Sequence, residues 1–204
     1  MKLYYLPGAC SMTPHTALEW IGQPYEAQAM SGDDTKQPDY LALNPLGTVP
    51  LLVDGDFTLT QNVAIVLYLD SLHPQARLFG SDTPQGRARA FRWLVFLNSD
   101  VHKSFSPLFH TPDYIQDEAV KQAMEASAHR QILRQLALAD QQLATQDYLA
   151  DDISVADVYL YVLLRWCHRI GLDYSSLPQL APFYRRMGQN PGLQAVLAQE
   201  GLEP

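Results

Sequence analysis

The chain has 204 residues, 47% of them hydrophobic, and a formal net charge of −8, enough for one large domain or two small ones around a real core. The acidic balance argues against nucleic-acid binding, which needs a basic stripe, and no apolar run is long enough to cross a membrane. The opening MKLYYLPGAC has no apolar signal-peptide core, so the expected location is the cytoplasm, where Cys10 and Cys167 stay unpaired.

Residues 2 to 6 (KLYYL) read as a short buried strand, and Pro7-Gly8 as a turn. A helix is expected from Ser11 or Thr13 to Ile21, stopped by Gly22, with Ser11 and Thr13 as candidate caps. YEAQAM at 25 to 30 is a candidate second strand, and 31 to 46 a loop with a short helix broken by Pro38 and Pro45. Asp54-Gly55 between LLV and FTL marks a hairpin. Thr60 then caps a helix with Val63, Val66, Leu67 and Tyr68 or Leu69 on its apolar face, ending at Pro74. This βαβ unit followed by ββα predicts a mixed sheet with helices on its faces.

Near residue 75 the pattern changes. HPQARLFGSDTPQG reads as a linker, and helices dominate after it. Residues 84 to 110 are expected as one helix with Trp93, Leu94, Leu97 and Val101 on a face, and 113 to 146 as a second. SVADVYLYVLLRWCHRI at 154 to 170 is apolar nearly all round, which puts it in the middle of the fold. Ser154 and Asp157 make a capping-box variant, with Ile153 and Val158 as its staple. One or two short helices follow over 179 to 200, with Pro182 and Pro191 as breaks.

A mixed N-terminal sheet followed by an all-helical half, Gly-Thr-Val-Pro at 47 to 50 and SVADVYLY in the buried helix together resemble the cytosolic glutathione S-transferases. PGACS with Cys10, His15 in the first helix and HKSFSPLF at 102 to 109 make the bacterial beta class the most similar. The resemblance implies an α/β thioredoxin-like glutathione-binding domain over 1–77 and an all-α helical domain over 85–204. It implies a homodimer in which the first domain of one subunit packs on the helices of the other. It also implies a cis proline at Pro50, with Val49 pairing to the cysteinyl backbone of glutathione. The class carries an acidic residue where Gln61 stands, and an Asn seven residues before the helix-four histidine, where this chain has Val95.

The chemistry expected here is what the resemblance implies for these residue types. Cys10 stands where a helix begins, and a helix N-terminus stabilises a thiolate and lowers its pKa. The expected activity is that of a glutathione transferase, with glutathione as co-substrate and no metal. Its thiol attacks a small-molecule electrophile, or exchanges disulfides through Cys10. His102 is the second catalytic candidate, as a hydrogen-bond partner or proton shuttle for the sulfur. Ser11, Val49, Pro50, Gln61 and Asn62 are the expected glutathione contacts, the last two at a helix start that suits the γ-glutamyl carboxylate. Phe105, Phe109 and Tyr114 are candidate apolar walls for the electrophile between the two halves. His15 reads as structural, and Cys167 as a buried core residue. One alternative makes Cys10 the nucleophile of a glutathione-dependent reductase or dehalogenase. The other is a glutathione-transferase-like binding or regulatory module without catalysis.

Overall fold

The computed structural model describes residues 1–110 and 114–203. Four strands form one mixed sheet: β1 (Lys2–Tyr5), β2 (Glu26–Ala29), β3 (Leu51–Asp54) and β4 (Phe57–Thr60), in the order β2-β1-β3-β4. β1 runs parallel to β2 and antiparallel to β3, and β3 pairs antiparallel with β4. The parallel step requires a crossover, supplied by helix α1 (Met12–Ile21), which Gly22 ends in the left-handed conformation at φ 70°. The hairpin forms, with its loop one residue later than the Asp54-Gly55 dipeptide. Asp54 pairs with Phe57, so the two loop residues are Gly55 and Asp56, and Gly55 alone takes the positive φ of 58°.

Two helices complete this half: α2 (Pro38–Leu43) and α3 (Asn62–Leu72). Pro38 opens α2 instead of breaking a helix. Thr60 is not the cap of α3. It still pairs with Leu51 as the last residue of β4, and Gln61 takes the cap position at φ 74°. The buried face of α3 is Ile65, Val66 and Leu69, while Leu67 is 41% exposed.

The helical half differs from expectation in its middle. In place of one helix over 84 to 110 stand α4 (Pro84–Phe96), a π-helical turn (Leu97–Val101), α5 (His102–Ser104) and α6 (Ser106–Phe109). Pro107 in the first turn of α6 has no N–H to extend the preceding helix. The long helix α7 (Glu118–Leu143) starts where the Asp117 carboxylate accepts the N–H groups of Ala119 and Val120. The expected start of this helix, residue 113, lies outside the described residues. Helices α8 (Val155–Ile170), α9 (Leu180–Met187) and α10 (Pro191–Gln199) follow. Pro182 and Pro191 both sit in first turns, where a missing N–H costs nothing.

α8 is the axis of the core: every residue from Val155 to Leu164 is buried. Its capping box is formed, with Asp157 accepting the Ser154 N–H at 2.9 Å and also the Leu149 N–H at 2.9 Å. The segment read as a linker is instead part of this core. Leu78 and Phe79 are buried, and the Val155 N–H donates to the Leu78 carbonyl at 2.9 Å. Gly80 fits there because it adopts φ 69°, and a Cβ would lie 2.6 Å from the Ile153 carbonyl oxygen. One continuous set of buried apolar residues therefore joins the sheet half to the helical half, and α1 packs on both α8 and α10. No helix among the described residues is long and apolar enough to cross a membrane.

Candidate active site

The loop from β1 to α1 carries Cys10, and the helical half fixes that loop at two points. The Gly8 N–H donates to Glu200 Oε2 at 2.8 Å, and the Gly8 carbonyl accepts the Trp166 indole N–H at 2.8 Å. Glu200 in turn meets His15 Nδ1 at 2.9 Å, with both side chains fully buried. His15 is structural, as its sequence position suggests. Ser11 also faces inward: its hydroxyl accepts the Leu6 N–H at 3.2 Å, caps no helix and does not line the cleft described below.

The Cys10 thiol points at the Val49 carbonyl, 3.9 Å away. The Val49–Pro50 peptide is cis. The turn is anchored from behind, since the Thr48 carbonyl accepts the Tyr40 hydroxyl at 2.6 Å and the Asn44 amide at 2.7 Å. Gln61 occupies a backbone region that costs a non-glycine residue free energy, and such strain concentrates where a chain is held for a purpose. Asn62 is 4% exposed, and its side chain turns inward. The side chain lies beside Cys10 and Tyr159, and its buried Oδ1 has no partner.

From the helical half, α5 presents His102. Its Nδ1 lies 2.7 Å from the Tyr159 hydroxyl, which donates to Asn98 Oδ1 at 3.1 Å. The Trp166 ring packs against His102 edge to face at 4.7 Å. Burial holds the His102 imidazole below its ordinary value of 6.5, which favours the neutral ring.

These groups converge on one cleft of about 380 Å³ between the two halves. Of the residues expected at the site, Cys10, Val49, Pro50, Gln61, Asn62 and His102 line it. Thr48, Asn98, Ser99, Lys103 and Ser106 line it as well. Lys103 is its one permanent cation among the described residues. The apolar wall is not where the aromatic residues suggested. Phe105 is wholly buried, packed on Phe109 and Trp166, because the turn after α5 rotates it into the core. Phe109 (47% exposed) and Tyr114 (84% exposed) do not line this cleft either. Asn98, Tyr159 and Trp166 carry no local signature of these contacts, since their polar partners lie elsewhere in the fold. Among the described residues no group of three or more His, Cys, Asp or Glu could hold a metal ion.

Family models for the glutathione S-transferase N-terminal and C-terminal domains match residues 3–77 and 101–191. Glutathione S-transferase GST-4.5 of Xanthomonas campestris is 41% identical over 99% of this chain and 100% of its own length. The chain belongs to the glutathione S-transferase family. Among solved structures, a glutathione S-transferase from Xylella fastidiosa is 41% identical and superposes with a TM-score of 0.95, covering 99% of each chain. Two sphingomonad structures each share 36% identity and a TM-score of 0.86 over the whole of both chains. One is a complex with glutathione, and the other, from Sphingomonas chungbukensis, is a bacterial beta class glutathione S-transferase. The transferase function and the thioredoxin-like fold expected from the resemblance stand on this membership.

One expectation about this glutathione S-transferase is reversed. The start of α1 was expected to lower the pKa of Cys10. The residue is 8% exposed, and burial pushes its thiol above the ordinary 9.0. The opposing donors, the Asn62 amide and the backbone N–H groups of Cys10 and Ser11, do not offset that burial. Alkylation of the free protein by iodoacetamide is therefore expected to be slow at pH 7 and to keep accelerating beyond pH 9. Cys167, buried and pushed up to about 12, adds no second phase. Mass spectrometry of the modified peptide against pH reads this directly. A Cys10 rate that levels off below pH 8 would show that the helix terminus outweighs burial.

Proposed function

We propose that the cleft binds glutathione as co-substrate and sets its thiol against an electrophile or, through a Cys10 mixed disulfide, exchanges it with an existing disulfide. The observation that carries this reading is the convergence of Cys10 and His102 on one cleft beside the Val49–Pro50 turn. The thioredoxin-like half, residues 1–77, holds the tripeptide, and the helical half, 85–204, supplies His102. Val49 pairs with the cysteinyl backbone, and Pro50 shapes the turn. The N-terminus of α3 takes the γ-glutamyl carboxylate through backbone N–H groups, the Asn62 side chain being turned inward. Gln61 offers its amide oxygen to the γ-glutamyl ammonium, and Lys103 attracts a carboxylate.

In conjugation, His102 takes the proton of the glutathione thiol. The sulfur keeps the electron pair and attacks an electrophilic carbon, forming a C–S bond as the leaving group departs with its own pair. In exchange, the Cys10 thiolate attacks a disulfide sulfur, a new S–S bond forms, and the expelled thiolate is protonated. The reading places the protein in the reducing cytoplasm, where glutathione keeps other thiols free.

Titration calorimetry of reduced glutathione into fully reduced protein tests it. Binding with a dissociation constant of roughly micromolar to low millimolar is expected. No heat of binding would favour the non-catalytic module instead.

The proposal extends to a homodimer, the commonest symmetric assembly. Phe57 on β4 (47% exposed) and Leu67 on α3 (41% exposed) are uncovered apolar side chains on the sheet half. Leu138 on α7 (49% exposed) is a counterpart on the helical half. Light scattering is expected to give twice the chain mass for the native protein and the single-chain mass for Phe57→Asp. A native mass of one chain would end the dimer proposal.

A further inference from the structure

Tyr159 stands within the apolar run of α8 and is wholly buried. Its hydroxyl nevertheless meets two polar side chains from outside that helix. His102 Nδ1 is 2.7 Å away and Asn98 Oδ1 is 3.1 Å away. A phenol has one proton to give and two lone pairs to fill. Asn98 Oδ1 is an acceptor, so it takes the phenol proton. With that proton placed, the phenol oxygen has only lone pairs left to offer, and the group facing them at 2.7 Å is His102 Nδ1. The neutral imidazole therefore carries its proton on Nδ1. Its Nε2 is an open lone pair with no hydrogen-bond partner among the described residues.

We propose that Tyr159, with Asn98 behind it, is a positioning residue that holds His102 in the Nδ1–H tautomer so that Nε2 is the proton acceptor for the thiol in the cleft. The inference rests on reading the cleft as a thiol-transfer site. In the step it serves, the S–H bond breaks and an N–H bond forms at Nε2. The sulfur keeps the electron pair, the imidazole takes the positive charge, and the proton returns to the thiolate that leaves. The π-helical turn matters here because it puts Asn98 and His102 on the same side of the chain, both facing the cleft. Trp166 prevents the ring from tilting away.

The test is the ¹⁵N spectrum of protein labelled at histidine, with the His102 signals assigned by their loss in His102→Gln. In the wild-type protein Nδ1 is expected to carry the shift of a protonated ring nitrogen and Nε2 that of a bare one. In Tyr159→Phe the Nε2–H form is expected to appear. The rate of mixed-disulfide formation near neutral pH is expected to fall at least about tenfold, with glutathione affinity changed less than about threefold. Asn98→Ala shifts the tautomer in the same direction by less, and with the wild type it decides the matter if Tyr159→Phe does not fold. A wild-type proton on Nε2, or a tautomer unchanged in both variants, would overturn the proposal. The spectra are recorded without glutathione. A failure of glutathione to bind would therefore sink the thiol-transfer reading and leave the tautomer result standing.

Discussion

Replacing Cys10 with alanine is expected to abolish the mixed disulfide with glutathione, lowering thiol-transfer turnover by roughly a thousandfold or more. The size follows from the role: no other sulfur reaches the cleft, because Cys167 is buried in α8. Glutathione affinity is expected to change only a few-fold, since the Val49–Pro50 turn and the start of α3 supply the binding contacts in the proposed reading. Cys10→Ser separates the two chemistries. Its hydroxyl can hydrogen-bond a glutathione thiolate but cannot form a disulfide, so conjugation to an electrophile persists while disulfide exchange is lost. The mass of protein treated with oxidised glutathione reads the adduct directly. An adduct of undiminished yield in Cys10→Ala would assign the chemistry elsewhere.

Glu200→Ala is expected to give the largest loss of stability of any single change near the C-terminus. The Glu200 carboxylate is fully buried between His15 Nδ1 and the Gly8 N–H. Removing it strands both in a place water does not reach. Leaving buried partners unsatisfied in this way costs about 3 kcal/mol, or a fall in melting temperature of about 6–12 °C for a chain of this size. The effect reaches the cleft because Gly8 is two residues from Cys10. With one of its two anchors to the helical half gone, Trp166 alone ties the loop to that half, and Cys10 is expected to alkylate faster than in the wild type. Glu200→Gln keeps an acceptor for Gly8 and is expected to lose less. Differential scanning calorimetry alongside the alkylation assay checks both effects. A Glu200→Ala protein that melts within 2 °C or so of the wild type would show that the pair contributes little net stability.

The polar centre of the molecule is a relay across elements far apart in the chain. Cys10 comes from the loop before α1, Asn62 from the start of α3, Asn98 and His102 from the bent region after α4, and Tyr159 from α8. The Trp166 indole bond to the Gly8 carbonyl ties the sheet half to the helical half beside the place where the proposed chemistry occurs. Thiol chemistry is thereby coupled to the packing of α8, the most buried element of the fold.

Much of this protein is written locally. Gly22 ends α1 because only a residue tolerant of positive φ closes that turn. Asp54-Gly55 marks the hairpin for a similar reason, and Ser154 with Asp157 opens α8 because neighbouring N–H groups need acceptors. The place of Cys10 at a helix start and the Thr-Val-Pro turn are equally legible, since each involves a few consecutive residues. What the chain order conceals is burial and partnership between distant residues. Phe105 has the same aromatic character as Phe109, yet one is in the core and the other is half exposed, and only the bend after α5 separates them. Leu78 and Phe79 lie among prolines and glycines and still pack against α8. The direction of the Cys10 pKa is set by surroundings that come from α3 and the Val49–Pro50 turn as well as from its own helix. Tyr159 meets His102 across 57 positions of sequence. Hydrogen-bond patterns repeat along a helix or turn and leave a local signature, whereas desolvation and cross-element contacts depend on which surfaces meet, and those only the tertiary structure decided.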